Sequence, residues 1–138
     1  MEENCISIKI VKKTDFQFLF NLLKERDKIT NISHKKMPTY SEHLKFLKSK
    51  PYSKWYIIYK SKIKIGTIYL SKNNEVGIFI SKKFQGENFA TEALKLIMNK
   101  NPRPRYLANV NPKNLRSAKF FKKNKFKLIQ HTYELEKI

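Results

Sequence analysis

Between Lys54 and Ser81 the chain reads as three short apolar segments, Lys54 to Tyr59, Ile63 to Ser71 and Glu75 to Ser81. Only Lys60-Ser61-Lys62 and Lys72-Asn73-Asn74 separate them. Connections this short cannot carry a crossover, so consecutive strands run antiparallel and side by side. A meander of hairpins is therefore the centre of the fold, and its two faces need covering. Upstream, Ile6, Ile8 and Ile10 alternate with Ser7 and Lys9, which predicts a strand over Cys5 to Val11 with Cys5 as a small core residue. Thr14 and Gln17 stand in capping-box spacing before Phe16, Leu19, Phe20 and Leu23, predicting a helix that ends near Glu25. Asp27 to Met37 reads as a loop. Thr39 and Glu42 form a second capping box, Leu44 and Leu47 share a face behind it, and Pro51 stops that helix.

Downstream, a helix from Phe89 to Asn99 turns Ala90, Ala93, Leu94, Ile97 and Met98 inward and ends at Asn101-Pro102. Tyr106 to Val110 reads as a strand. Asn111 as N-cap and Pro112 at the first helical position start a helix to Lys123, and Lys127 to Glu136 closes the chain as a strand. The order β-α-α-β-β-β-α-β-α-β implies an α+β (α/β) sheet with helices on its faces, in a single domain over residues 1–138.

Charge narrows the partners. The chain carries 30 Lys+Arg against 11 Asp+Glu, a formal +19, which attracts polyanions. The basic residues are overwhelmingly Lys and spread along the chain, with arginine only at Arg26, Arg103, Arg105 and Arg116. This distribution reads as a solvated surface. A basic nucleic-acid-binding module is the alternative of another class, and it lacks a stacking-aromatic or recognition-helix signature. One cysteine excludes an internal disulfide and a multi-cysteine metal site, so no metal is expected. The apolar runs, such as Trp55 to Tyr59, fall far short of the roughly 20 residues that span a bilayer. Met1-Glu2-Glu3-Asn4 has no character of a signal or transit peptide, and a cytoplasmic location is expected.

All three glycines, Gly66, Gly77 and Gly86, lie between the third strand and the third helix. Gly66 and Gly77 interrupt neighbouring strands, as a bulge or a splay would require. Gly86 precedes a helix N-terminus, where free N–H groups and the dipole suit a pyrophosphate. The segment Gln85-Gly86-Glu87-Asn88-Phe89-Ala90-Thr91 resembles motif A of the GCN5-related N-acetyltransferase superfamily, roughly Gln/Arg-x-x-Gly-x-Gly/Ala. Gln85 and Ala90 match its ends. Asn88 stands at the central glycine, and asparagine is the non-glycine residue that best tolerates left-handed backbone. Tyr106 to Ser117 is similar to the family's fifth strand and following helix, and Phe120 to Phe126 to the end of that helix, with Lys125 at a glycine position.

The resemblance implies a mixed, mostly antiparallel sheet splayed between its fourth and fifth strands and flanked by about four helices. It implies acetyl-CoA as co-substrate, with pantetheine on the backbone of Ile78, Phe79 and Ile80, the pyrophosphate on Gln85 to Thr91, and Asn114 and Ser117 beside the arm. A strand-four N–H near Ile78 or Phe79 is the candidate oxyanion donor. Glu75 is the candidate base, since an amine attacks a thioester only when neutral. The register of the family's proton-donating tyrosine falls on Phe121, which leaves water or another tyrosine such as Tyr133 for that role. His34 and His43 are candidate acceptor-binding residues. Ser41 to Leu47 resembles a segment of amino-sugar acetyltransferases, which implies a primary amine on an amino sugar or nucleotide-linked amino sugar. A protein N-terminus or lysine is the alternative acceptor. The expected partner is thus a small-molecule amine, with a homodimer left open.

Overall fold

The computed structural model describes residues 5–26 and 37–137. Its frame is the expected meander. Strands β1 (Ile6–Ile10), β2 (Lys54–Lys60), β3 (Ile63–Leu70) and β4 (Val76–Ile80) form one antiparallel sheet in the order β1-β2-β3-β4. Ile8 lies opposite Ile58, Ile58 opposite Gly66, and Ile68 opposite Ile78. Between β2 and β3 the register shifts at Ile58/Tyr59, which leaves Ile65 as the extra residue of a bulge beside Gly66.

Two cores follow from the alternation of side chains. On one face Ile8, Ile58, Ile65, Ile68, Leu70, Val76 and Ile80 pack with Phe89, Ala93, Leu94 and Ile97 of helix α3 (Phe89–Lys100). On the other, Ile57 packs with Leu19 and Leu22 of helix α1 (Phe16–Glu25) and Leu47 of helix α2 (Tyr40–Lys48). Helix α2 carries the expected box. The Thr39 hydroxyl accepts from the Glu42 N–H at 3.1 Å, and the Glu42 carboxylate accepts from the Thr39 N–H at 2.8 Å.

The first helix starts differently from the expectation. A 3-10 turn, Lys13–Asp15, precedes it, and Asp15 rather than Gln17 reaches back, accepting from the Lys12 N–H at 2.8 Å. Asp15 is buried and pairs with Lys64 Nζ at 2.6 Å, so a carboxylate fixed by a β3 cation displaces the Thr14/Gln17 box. Cys5 is exposed rather than part of the core, because the ladder begins one residue later.

The C-terminal half departs further. Tyr106 to Val110 forms no strand; its one ladder contact among the described residues is a parallel bridge between Leu107 and Glu75. Helix α4 spans Leu115–Lys123, with Asn114 as N-cap accepting from the Ser117 N–H at 3.1 Å. Asn111 instead closes the turn before it, accepting from the Lys113 N–H at 2.9 Å, so Pro112 lies outside the helix. Lys127 to Glu136 forms no strand with the described residues and is exposed throughout. No helix among the described residues is long and apolar enough to cross a membrane.

Candidate functional site

The site begins where the sheet opens. The Val76 N–H donates to the Leu107 carbonyl at 2.7 Å, and the Leu107 N–H donates to the Asn74 carbonyl at 2.8 Å. Beyond that bridge the two segments part. Because Val76 directs its backbone away from β3, alternation makes Ile78 and Ile80 do the same. The open edge of β4 thus offers the backbone of Ile78 and the N–H of Ile80. Phe79 is the exception among the three expected contacts. Its backbone belongs to the ladder opposite Thr67, because a one-residue step reverses the direction of the peptide groups.

The chain leaves β4 through a 3-10 turn, Lys82–Phe84, and a tight bend into α3. Glu25, at the C-terminus of α1, anchors that exit by accepting from the Ser81 hydroxyl at 3.0 and 3.1 Å and from the Lys82 N–H at 2.8 Å. Gly86 takes φ +89°, a left-handed conformation that L side chains rarely adopt. Asn88 does not: its φ of −83° and ψ of 17° keep it on the right-handed side, because Gly86 already supplies the reversal. Glu87 and Asn88 are exposed in this bend. The Glu92 N–H donates back to the Asn88 carbonyl at 3.1 Å. The N–H groups of Phe89, Ala90 and Thr91 form the first turn, which has no intrahelical acceptors. The Phe89 ring itself is buried in the core.

Gln85 links this cradle to both walls. Its Nε2 donates to the Ile80 carbonyl at 2.8 Å, and its Oε1 accepts from Arg116 of α4. The guanidinium of Arg116 therefore stands over the gap between β4 and α4. Asn114 and Ser117 are brought together as the cap of α4, in the same turn as Arg116. Glu75 sits at the fork. Its Oε1 accepts from the Ser71 hydroxyl at 3.1 Å and its Oε2 from Asn109 Nδ2 at 2.9 Å. Phe121 is buried against Phe120 and Phe126, whereas Tyr133 is 90% exposed on the C-terminal segment.

On the α1/α2 face, behind the same strand, lies a cavity of about 70 Å³. Arg26, His43, Tyr52, Trp55, Tyr69 and Phe79 contribute its polar and aromatic lining. His43 is one of these lining residues, buried between Phe20 and Phe46. His34 lies outside the described residues. The lining is rigidly tied. Tyr52 stacks on Tyr69 with centroids 3.6 Å apart and planes at 7°. Trp55 Nε1 donates to the Thr67 hydroxyl at 2.8 Å, which donates to the Tyr56 carbonyl at 2.8 Å. Burial, with Tyr69 beside it, pushes the Tyr52 phenol far above the usual tyrosine range, so its proton stays on. Gly77 is required here, since a Cβ would overlap the Tyr69 ring.

Sequence reasoning missed Arg26, Tyr52 and Tyr69 as members of a site. The usable signal lay on β3, where Thr67 and Tyr69 alternate with Ile68 and Leu70 and so face away from the α3 core.

A family model described as an acetyltransferase (GNAT) domain matches residues 6–127. Among curated proteins, none matches in sequence. Solved structures do match. A domain from Methanocaldococcus jannaschii is 21% identical, with a TM-score of 0.81 over 94% of this chain and 93% of that one. An acetyltransferase from Thermus thermophilus is 16% identical, with a TM-score of 0.74 over 94% and 92%. Spermidine N-acetyltransferase from Vibrio cholerae, in complex with CoA and spermine, is 16% identical, with a TM-score of 0.71 over 86% and 78%. At these identities the likeness is one of fold.

Proposed function

The chain belongs to the GNAT acetyltransferase family, and from that premise we propose that it moves the acetyl group of acetyl-CoA to a primary amine across the open edge of β4. The observation that carries this reading is the parting of β4 from Leu107 beside the first turn of α3. Pantetheine is an amide-bearing arm that can pair with the Ile78 backbone and the Ile80 N–H as an added strand. The bend at Gly86 and the N–H groups of Phe89 to Thr91 suit a pyrophosphate, and Arg116 adds positive charge beside them.

The Ile78 N–H is the donor for the developing oxyanion, since its direction is fixed toward the gap before the reaction begins. Glu75 takes the amine's proton through water. The Ser71 and Asn109 hydrogen bonds hold its carboxylate in one orientation. The buried ring of Phe121 has no proton to give, so the CoA thiolate leaves unaided and is protonated from solvent.

The acceptor enters from the α1/α2 face. A cavity of about 70 Å³ is roughly the share of two waters, which suits the amine-bearing end of a molecule whose bulk lies outside. Among the described residues its lining carries Arg26 and aromatic rings and no carboxylate, which suits an amine that also bears an apolar ring face and an anionic group. An amino sugar linked to a nucleotide has that chemistry. The test is a screen of amino sugars, nucleotide-linked amino sugars, polyamines and peptides for acetyl-CoA-dependent thiol release. Turnover of nucleotide-linked amino sugars above the other classes is expected; preferred turnover of polyamines would overturn the acceptor assignment, and no stabilisation by acetyl-CoA would overturn the cofactor assignment.

A further inference from the structure

We propose that the Gln85 side chain is a register stop for the pantetheine arm, an inference that rests on the cofactor assignment above. Its Nε2 donates to the Ile80 carbonyl at 2.8 Å. That carbonyl belongs to the open edge of β4. The residues on either side of it turn to β3, Phe79 opposite Thr67 and the Ser81 N–H on the Ile65 carbonyl at 2.7 Å, so alternation directs Ile80 into the gap. A side-chain amide of the protein thus occupies the acceptor that an amide of the arm would otherwise take.

Local structure holds it there. The 3-10 turn folds the chain back over the strand end, with the Phe84 N–H on the Ser81 carbonyl at 2.9 Å and the Gln85 N–H on the Lys82 carbonyl at 3.3 Å. From the other wall Arg116 donates to Oε1, which orients the carboxamide with its nitrogen on Ile80. The consequence is positional. A pyrophosphate at the Gly86 bend anchors only the far end of a flexible arm, so the thioester needs a register of its own. Equivalent outward groups recur along β4 every two residues, about 6.8 Å. In one register the thioester carbonyl meets the Ile78 N–H while the first amide N–H of the arm meets the Ile78 carbonyl. Drawn back by one repeat, the same two groups would meet the Ile80 N–H and the Ile80 carbonyl. Gln85 fills that last acceptor, so the withdrawn register leaves an arm amide without its hydrogen bond. The register that remains brings the thioester to the oxyanion donor. Gln85 touches no reacting atom in this arrangement and acts as a positioning residue.

Two variants separate the two ends of the carboxamide. Gln85→Glu keeps an oxygen for Arg116 and loses the donor to Ile80, whereas Gln85→Lys keeps a donor and loses the oxygen. Each 15N-labelled protein, its fold checked by far-UV circular dichroism, is saturated with acetyl-CoA carrying a 13C-labelled acetyl methyl group, at a concentration set by calorimetry. Isotope-filtered nuclear Overhauser spectra then show which backbone amide the methyl group lies beside. In the parent and in Gln85→Lys it should contact the Ile78 N–H and not the Ile80 N–H. In Gln85→Glu a second contact, to the Ile80 N–H, should appear. A change that merely loosened the bend would weaken binding without moving the methyl group from one amide to the other. A Gln85→Glu protein that keeps the Ile78 contact alone, or a Gln85→Lys protein that gains the Ile80 contact, would overturn the register stop while leaving the cofactor assignment standing. A parent that binds no acetyl-CoA would overturn that assignment and this inference with it.

Discussion

Gly77→Ala tests whether the aromatic stack beside β4 is a fixed wall. A Cβ at position 77 would overlap the Tyr69 ring. That ring cannot simply swing away, because Tyr52 lies flat against it with centroids 3.6 Å apart. Overpacking of this kind costs typically 1–3 kcal/mol, and the rigid stack argues for about 2 kcal/mol. With an unfolding entropy of about 2.1 cal/mol/K per residue, 138 residues give roughly 290 cal/mol/K, so Tm should fall by about 7 °C. The decisive measurement is a double-mutant cycle with Tyr69→Ala, followed by thermal or urea unfolding. Once the ring is gone, the added methyl group has room and the conformational cost of a strand glycine is removed, so Gly77→Ala should then be neutral or stabilising by up to about 0.5 kcal/mol. A coupling near 2 kcal/mol is expected. In the single variant the KM for the amine should rise while acetyl-CoA affinity holds, because the outward peptide groups of Ile78 and Ile80 are untouched. Equal costs of Gly77→Ala in both backgrounds would refute the reasoning.

Other perturbations probe the remaining supports. Asp15→Ala strips Lys64 of its partner and the Lys12 N–H of its acceptor; with Lys64 about one-third exposed, a loss of about 2–3 kcal/mol is expected in chemical denaturation. Thr39→Ala removes the α2 cap and should cost about 1 kcal/mol by the same measurement. Glu25→Ala frees the exit of β4 and should weaken acetyl-CoA binding in calorimetry, since the bend at Gly86 hangs from that anchor. The raised Tyr52 phenol makes stability full below about pH 10, and stability falls as the pH rises above that value, because the unfolded chain loses the proton first. Tyr52→Phe should flatten this alkaline decline. Glu75→Gln should slow acetyl transfer at neutral pH with acetyl-CoA affinity unchanged, and an unaltered rate would remove Glu75 from the proton path.

What the sequence made legible was local, and what it concealed was relational. The hairpins between Lys54 and Ser81 were readable because both connectors are short, 61–62 and 71–75, and the α2 box because Thr39 and Glu42 meet within one turn. The cofactor side of the site was readable for a related reason, since strand end, glycine bend and helix start are contiguous. The acceptor cavity had no such signature. Arg26 ends α1, His43 sits in α2, Tyr52 precedes β2 and Tyr69 lies on β3, so only the fold gathers them. The two missing strands follow the same logic. Alternation in 106–110 and 127–136 reports that these segments can pair, and a strand forms only where a second edge is within reach. Among the described residues β4 parts from the first after a single bridge, and the Phe126 N–H, on the Phe121 carbonyl at 2.9 Å, ties the start of the second to the end of α4.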